Sequence, residues 1–183
     1  LASTNPVVAD PTAITKAQQT LDKKGWIVNP ETGIREKTTD GKVTQLSFTM
    51  ATNNTPDLQT AAEQIREDFE ALGVGLEIQY YETGMLDQEV IRPRAFEMLL
   101  FGQVVEHESN LYAFWHSTQR NDPGLNITLY GNATVDRNLT SILTELDFEK
   151  RMSLVSAVNT QITKDRPAIF LYTPDFIYLT KQK

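Results

Sequence analysis

The sequence contains no cysteine and only two histidines among its 183 residues, and these shortages exclude several kinds of site. Without cysteine the chain forms no disulfide, no thiolate metal centre and no thiol nucleophile. Its apolar runs have strand length, well short of the about 18 residues that a membrane-spanning helix needs. The net charge of −7 repels phosphate backbones, so no nucleic-acid partner is expected.

Motifs for catalysis and cofactor binding are also missing. The chain has no P-loop, nucleophile elbow, HExxH or dinucleotide-binding glycine motif. One cluster, His107 between Glu106 and Glu108, has metal-ligand types, but a metal needs three or four converging groups. A solvated loop is therefore the preferred interpretation, and we expect no catalytic residue, metal or cofactor. A hydrolase that uses Glu106 and Glu108 as an acid and base pair remains an alternative.

Hydrophobic periodicity predicts the elements of the first half of the chain. Apolar residues alternate over 43–51 and 74–80, as in strands, and recur at helical spacing over 55–72 between them. This strand–helix–strand order predicts a parallel βαβ unit. An earlier helix ends at Gly25, and residues 1–10 are an extended lead-in.

The second half is predicted to contain two helices and several strands. The pattern indicates a short helix at 84–91, a buried strand at 96–102 and an irregular aromatic stretch at 103–134. A helix capped by Thr134 and another from Asp147 to Pro167 follow, then strands at 168–172 and 176–179. The predicted fold class is α/β, with a mixed sheet flanked by helices.

Two interpretations of the aromatic stretch remain open. Tyr112, Phe114, Trp115 and Tyr130 could line a ligand cleft, because loops at strand ends often carry function. They could equally form a small satellite core beneath a long loop. His116, beside Trp115, is interpreted as a hydrogen-bonded packing residue rather than a catalytic base.

The order of several short motifs resembles solute-binding protein family 5, the oligopeptide, dipeptide and nickel receptors of ABC importers. Each motif is short, but they follow the family order along nearly the whole chain. They read LDKKGW at 21–26, GIREK at 33–37, AAEQIREDFEALGV at 61–74, RAFEMLL at 94–100, FWHS at 114–117, GLN at 124–126, YGN at 130–132 and PAIFLY at 167–172.

The resemblance implies an architecture and a function. Residues 1–183 would form a single C-terminal ligand-binding lobe of a two-lobed fold of the periplasmic-binding-protein type (class II), with the N-terminal lobe missing. The whole receptor would be extracytoplasmic, either periplasmic or anchored as a lipoprotein. It would capture a solute, typically a peptide, between its lobes and deliver it to the importer's permease subunits, without enzymatic activity.

The resemblance also implies which residues contact the solute. Glu106 falls at the acidic position that pairs with a peptide's amino terminus, and Gln103 stands where the family has tryptophan. His107, Trp115 and Tyr130 complete the predicted ligand-binding set. Besides the hydrolase, a protein-interaction module without a small ligand remains an alternative, and it would present a large flat apolar patch.

Overall fold

A computed structural model describes residues 11–103 and 110–173 of the chain. The predicted lead-in at 1–10 and the predicted strand at 176–179 lie outside these residues. In the described part, strands and helices alternate through the first half, and helices dominate the second. The predicted α/β class is confirmed.

The first described elements are a helix and a small antiparallel sheet. Helix α1 (Pro11–Lys23) leads into strands β1 (Ile27–Val28), β2 (Arg35–Thr39) and β3 (Lys42–Gln45), which pair in the order β1-β2-β3. The turn between β2 and β3 contains Asp40 and Gly41, at φ values of 52° and 77°. Positive φ at both central residues is what a two-residue hairpin turn requires, and Asp-Gly favours it.

A parallel sheet follows, and it contains the predicted βαβ unit. Strand β4 (Ser47–Asn53), helix α2 (Pro56–Ala71) and strand β5 (Gly75–Tyr81) form that unit, and strand β6 (Met98–Leu100) pairs on the other side of β4. The strand order is β5-β4-β6. Strands of both directions are therefore present, but they are divided between two sheets.

The two sheets meet at Leu46, within the stretch predicted as one strand. The Leu46 N–H donates to the Arg35 carbonyl of the first sheet, and the Leu46 carbonyl accepts from the Gly75 N–H of the second. Apolar and polar residues do alternate along 43–51, but the extended segment changes its pairing strand at Leu46. The predicted strand is thus β3 followed by β4.

Burial of β4 explains its central position. Met50, Ala51 and Thr52 are all at most 4% exposed, because β5 and β6 flank the strand and helices cover the sheet. Ala62 of α2 is fully buried against this sheet, as the helical stripe predicts. Strands covered on both faces often have continuous apolar runs, but β4 instead keeps an alternating sequence with Thr49 and Thr52 among its apolar residues.

Between β5 and β6 lies a short helical segment. Helix α3 (Thr83–Met85) continues into a π-helical turn (Leu86–Ile91), where a helix was predicted. Leu86, Val90 and Ile91 of this turn are buried with Ala51. The segment therefore closes the core at the end of the parallel sheet.

The second half is built on two packed helices, α5 (Ala133–Thr144) and α6 (Phe148–Asp165). Their buried core consists of Val135, Leu139, Ile142, Val155, Val158 and Ile162. The helical spacing of apolar residues in 135–162 also suggests Leu143, Phe148 and Met152 as core residues, but these three are substantially exposed. They lie on either side of the turn that joins α5 to α6.

Two further differences from the sequence predictions concern local structure. Helix α4 (Asn110–Trp115) and a short 3-10 turn (Ser117–Gln119) occupy part of the stretch predicted to be irregular. Asn132, rather than Thr134, caps α5, since its side chain accepts from the backbone N–H groups of Thr134 and Val135.

The end of the described chain is extended rather than part of a sheet. Arg166 ends α6 at a φ of 52°, and Pro167 follows. Of the predicted strand at 168–172, a single bridge at Tyr172 is present among the described residues. Within the same residues, none of the helices combines the length and apolarity needed to cross a bilayer.

Candidate functional site

The strand order of the parallel sheet identifies its carboxyl edge as the candidate site. From β4 the chain crosses through α2 to β5 on one side, and it later forms β6 on the other side. The connection therefore reverses direction between β4 and β6. Open parallel sheets bind ligands in the crevice outside the carboxyl ends of strands at such a reversal. The two segments at this position are 53–54 and 101–103.

Polar side chains at the end of β4 bond to protein groups. The Asn53 amide donates to the Thr83 hydroxyl at 2.8 Å, and the Asn54 amide donates to the Glu82 carboxylate at 3.1 Å. Thr52, fully buried, donates its hydroxyl to the Leu100 carbonyl at 3.0 Å. These bonds tie the ends of the three strands together and give the edge a fixed shape.

The end of β6 presents accessible groups instead. Phe101 is 42% exposed, and Gly102 and Gln103 are also exposed. Gln103, one of the predicted ligand-binding residues, therefore lies on the surface at the strand reversal. Glu106 and His107, also predicted to bind the ligand, lie outside the described residues.

Trp115 and Tyr130, the remaining predicted ligand-binding residues, are brought together by the fold. Trp115 is the last residue of α4, and its ring meets the Tyr130 ring edge-on at a centroid distance of 6.2 Å. The Phe170 ring also approaches Trp115, at a centroid distance of 6.0 Å. Both Trp115 and Tyr130 are half-buried and pack against the α5–α6 core. The pair is thus a satellite of that core, and its predicted contact with a ligand stays a prediction.

The hydroxyl of Tyr130 is hydrogen-bonded to a carboxylate. It donates to Asp165 Oδ2 at 2.6 Å, and the Asn132 amide donates to the same oxygen at 2.9 Å. Burial, followed by the bond to Asp165, raises the pKa of Tyr130. The same hydroxyl is the largest cause of the lowered pKa of Asp165. A ligand would therefore meet the Tyr130 ring rather than its hydroxyl.

His116 is a packed, hydrogen-bonded residue, as predicted. Its ring stacks on Tyr112 with centroids 4.2 Å apart and 20° between planes. Its Nδ1 accepts from the Thr118 backbone N–H at 3.2 Å. His116 is 8% exposed, and its side chain caps the 3-10 turn.

Ser117, His116 and Asp136 meet in space, but not in the order that nucleophilic catalysis requires. The Ser117 hydroxyl donates to Asp136 Oδ2 at 2.7 Å, and its backbone N–H donates to Oδ1 at 2.9 Å. In a triad the hydroxyl donates to the histidine, and the carboxylate orients that histidine. Here the serine is bonded directly to the carboxylate, which anchors the 3-10 turn to α5. Among the described residues there is also no group of three His, Asp or Glu side chains that could hold a metal.

Asn126 and Asp165 are important polar residues that the sequence reasoning did not single out. Asn126 is fully buried, and Asp165 collects three donors at the end of α6. Asn126 stands within a motif that carried the family resemblance, GLN at 124–126. The position of Asn126 in this motif was the signal by which the sequence could have pointed to it. The burial of its side chain is seen only in the fold.

Comparison with known proteins gives a consistent set of structural relatives. The chain is similar to the oligopeptide-binding protein AppA from Bacillus subtilis in complex with a nonapeptide, at 28% identity and a TM-score of 0.75, over 87% of this chain and 31% of that one. It has 23% identity to NikZ from Campylobacter jejuni in complex with Ni(L-His), with a TM-score of 0.69 over 86% and 31% of the chains. The oligopeptide-binding protein from Thermus thermophilus, complexed with a pentapeptide, aligns at 20% identity and a TM-score of 0.75 over 94% and 31%.

These alignments cover most of this chain but under a third of each of the three relatives. No protein-family model matches the chain, and no curated protein sequence matches it either. The similar structures are two-lobed binding proteins, and this chain has the fold of a part of them.

Proposed function

We propose that this chain, whose fold and order of motifs match solute-binding protein family 5, is the C-terminal lobe of an extracytoplasmic receptor for an ABC importer. The observation that carries the proposal is the match to AppA, which spans 87% of this chain and 31% of that protein. The strand reversal at the carboxyl edge supports it, because that edge is where a sheet of this kind binds a ligand. The similar proteins are named as binding proteins, and no comparison supports the hydrolase or the interaction module.

The proposed ligand is a small solute, and a peptide is its proposed class. Relatives are named in complex with a nonapeptide, a pentapeptide and Ni(L-His). In this chain Gln103 would offer an amide at the exposed end of β6, and Trp115 with Tyr130 would offer apolar ring surface. Glu106 would pair with the amino terminus of a peptide. A carboxylate in a closed, water-poor cleft attracts an ammonium group strongly.

The proposed partners are a second lobe and the permease subunits. Closure would be a hinge movement of one lobe on the other, as in other two-lobed binding proteins. Two of the similar structures are described as periplasmic binding proteins, which supports the proposed extracytoplasmic location. The receptor itself would bind and release its solute without chemical change.

Mass spectrometry of solute released from the longer receptor tests this function most directly. We expect a peptide or other small molecule at about one per receptor. A receptor purified without denaturant that releases nothing, and that binds nothing in calorimetry with peptide pools, would contradict the proposal. The 183-residue chain alone should bind the same solute weakly, because in the proposed receptor a second lobe would supply part of the cleft. Micromolar binding by this chain alone would overturn that expectation.

The role of Glu106 has its own test. Glu106→Gln in the receptor should weaken binding of a peptide with a free amino terminus, and it should leave binding of the acetylated peptide nearly unchanged. The loss should be about tenfold to a hundredfold, the usual effect of removing one partner of a charge-assisted hydrogen bond. Equal losses for both peptides would show that the carboxylate does not read the amino group. Glu108→Gln is a matched control on a neighbouring carboxylate.

A further inference from the structure

Asn126 is a fully buried amide whose hydrogen-bonding capacity is completely used. Its Nδ2 donates to the His116 carbonyl at 3.1 Å and to the Tyr130 carbonyl at 2.9 Å. Its Oδ1 accepts from the Tyr130 backbone N–H at 3.1 Å and from the Thr128 hydroxyl at 3.2 Å. An asparagine side chain has two donor hydrogens and two acceptor lone pairs, so all four are satisfied.

The groups that Asn126 holds are the backbone beside the two rings of the aromatic pair. His116 directly follows Trp115, and Tyr130 carries the other ring. Asn126 lies ten residues after His116, so the Asn126 side chain joins the residue that follows α4 to the segment that precedes α5. Among the described residues, Asn126 is the hydrogen-bond acceptor for the Tyr130 N–H, while the Tyr130 carbonyl also accepts from Arg120 Nε at 3.0 Å. Loss of the Asn126 amide would therefore leave the Tyr130 N–H without this acceptor.

A neutral amide matches this position, because it donates to two carbonyl oxygens and accepts from one N–H. Each carbonyl also has another donor: the Gln119 N–H bonds to His116 at 3.0 Å, and Arg120 Nε bonds to Tyr130 at 3.0 Å. An aspartate would keep the acceptor, but it would hold a negative charge against the two carbonyl oxygens. Burial makes that contact costly, because a buried charge loses its solvation and needs donors to compensate for the loss.

We infer that Asn126 is a positioning residue for the proposed ligand site, acting through the edge-to-face pair of Trp115 and Tyr130. The inference rests on the proposed function, in which this pair forms the aromatic wall of the cleft. Asn126 does not contact the solute. It fixes the backbone on both sides of the wall, so that the rings meet a ligand already oriented.

The first test measures the orientation of Trp115 without any ligand. In a Trp26→Phe background the remaining tryptophan signal comes from Trp115. Asn126→Asp should reduce its near-ultraviolet circular dichroism by about half or more at neutral pH, because the pair loses its fixed geometry. Acidification should restore part of the signal, since a protonated carboxyl regains one donor. Asn121→Asp makes the same chemical change at an exposed position of the same loop, and it should leave the signal unchanged.

Asn126→Ser is the second variant, in case the aspartate variant does not fold at neutral pH. A hydroxyl keeps one donor at this position and should give an intermediate signal, with far-ultraviolet circular dichroism unchanged. A wild-type Trp115 signal in a folded Asn126 variant would overturn the inference. An equal loss in Asn121→Asp would do so as well, because the effect would not be specific to the buried amide.

The second test measures binding of penta-alanine to the longer receptor by calorimetry. Asn126→Asp or Asn126→Ser should weaken binding by about tenfold, whereas Asn121→Asp should not. Unchanged binding despite an altered Trp115 signal would overturn the role in ligand binding. A wild-type receptor that binds no peptide would instead count against the proposed function, while the spectroscopic result would still decide whether Asn126 positions the pair.

Discussion

Replacement of Arg35 by methionine should destabilise the chain more than any change to its salt-bridge partner. Arg35 is 4% exposed and joins three elements through its guanidinium. Its Nε donates to the Leu72 carbonyl at 2.6 Å, and its Nη1 donates to the Trp26 carbonyl at 2.7 Å and to the Asp22 carboxylate at 2.5 Å. The ends of α1 and α2 are thus fastened to β2 by one side chain.

The magnitude follows from what each variant leaves behind. Arg35→Met fills the space of the stem but removes three charge-assisted bonds and leaves two carbonyls without this donor. We expect a loss of about 2–4 kcal/mol in the free energy of unfolding. Asp22→Asn removes only the ion pair, and the Asp22 side chain is 56% exposed. A pair with one partner so solvated contributes about 0.5–1 kcal/mol.

Urea unfolding of both variants and of Arg35→Lys tests this reasoning. The lysine variant keeps the charge but loses the planar fork, so its stability should lie between wild type and Arg35→Met. The m-value should stay constant if only stability changes. The reasoning is refuted if Asp22→Asn costs as much as Arg35→Met, because the ion pair and not the carbonyl contacts would then dominate.

Three other substitutions have defined outcomes. Hydrogen bonding lowers the pKa of Asp165, so the ionised Asp165 carboxylate stabilises the folded chain above about pH 4, and this contribution is lost on acidification. The difference in stability between wild type and Tyr130→Phe should therefore shrink below that pH in acid titrations followed by circular dichroism. Gly73→Ala should cost about 1–2 kcal/mol in urea unfolding, since φ is +75° and a Cβ would lie 3.1 Å from Arg35 Cγ; a neutral result would show that the backbone relaxes there. Leu146→Ser should change stability by no more than about 0.5 kcal/mol, because Leu146 is 94% exposed, and a larger loss would reveal packing at the helix junction.

Sequence periodicity predicted the βαβ unit because its signals are local. Helix α2 (Pro56–Ala71) lies within the stretch 55–72 whose helical spacing predicted it, and β5 follows with the expected parallel pairing. Each boundary is set by residues within one turn of it. Propensity, pattern and termination all favour the same elements in this part of the chain.

The pairing partner of each strand was less predictable, because strand pairing depends on residues far apart in sequence. Alternation through 43–51 cannot show that Leu46 changes sheets, and the apolar run at 168–172 cannot show whether a strand is available to pair with it. Helix α4 was missed because its six residues are too few to display a period.

The ligand-binding residues read from the sequence remain a prediction. Gln103 is exposed after β6, and Trp115 meets Tyr130 beside the α5–α6 core. The attachment of the Tyr130 hydroxyl to Asp165 was not predictable, since 35 residues separate them. The hydrogen bonds of Asn126 were not predictable for a similar reason: they reach across a loop whose path the sequence does not reveal.

The junction at Leu46 has a consequence for how the length of this chain can change in evolution. Deletion of one residue there would shift the phase of β4 against both its neighbours, and side chains that face one side of the sheet would face the other. Since β4 is paired with β5 and β6 at once, such a deletion would disrupt two registers. The Asp40-Gly41 turn only a few residues earlier lies outside this constraint, because it joins two strands of the exposed hairpin. Natural variation in length should therefore concentrate at the turn and be absent at the junction.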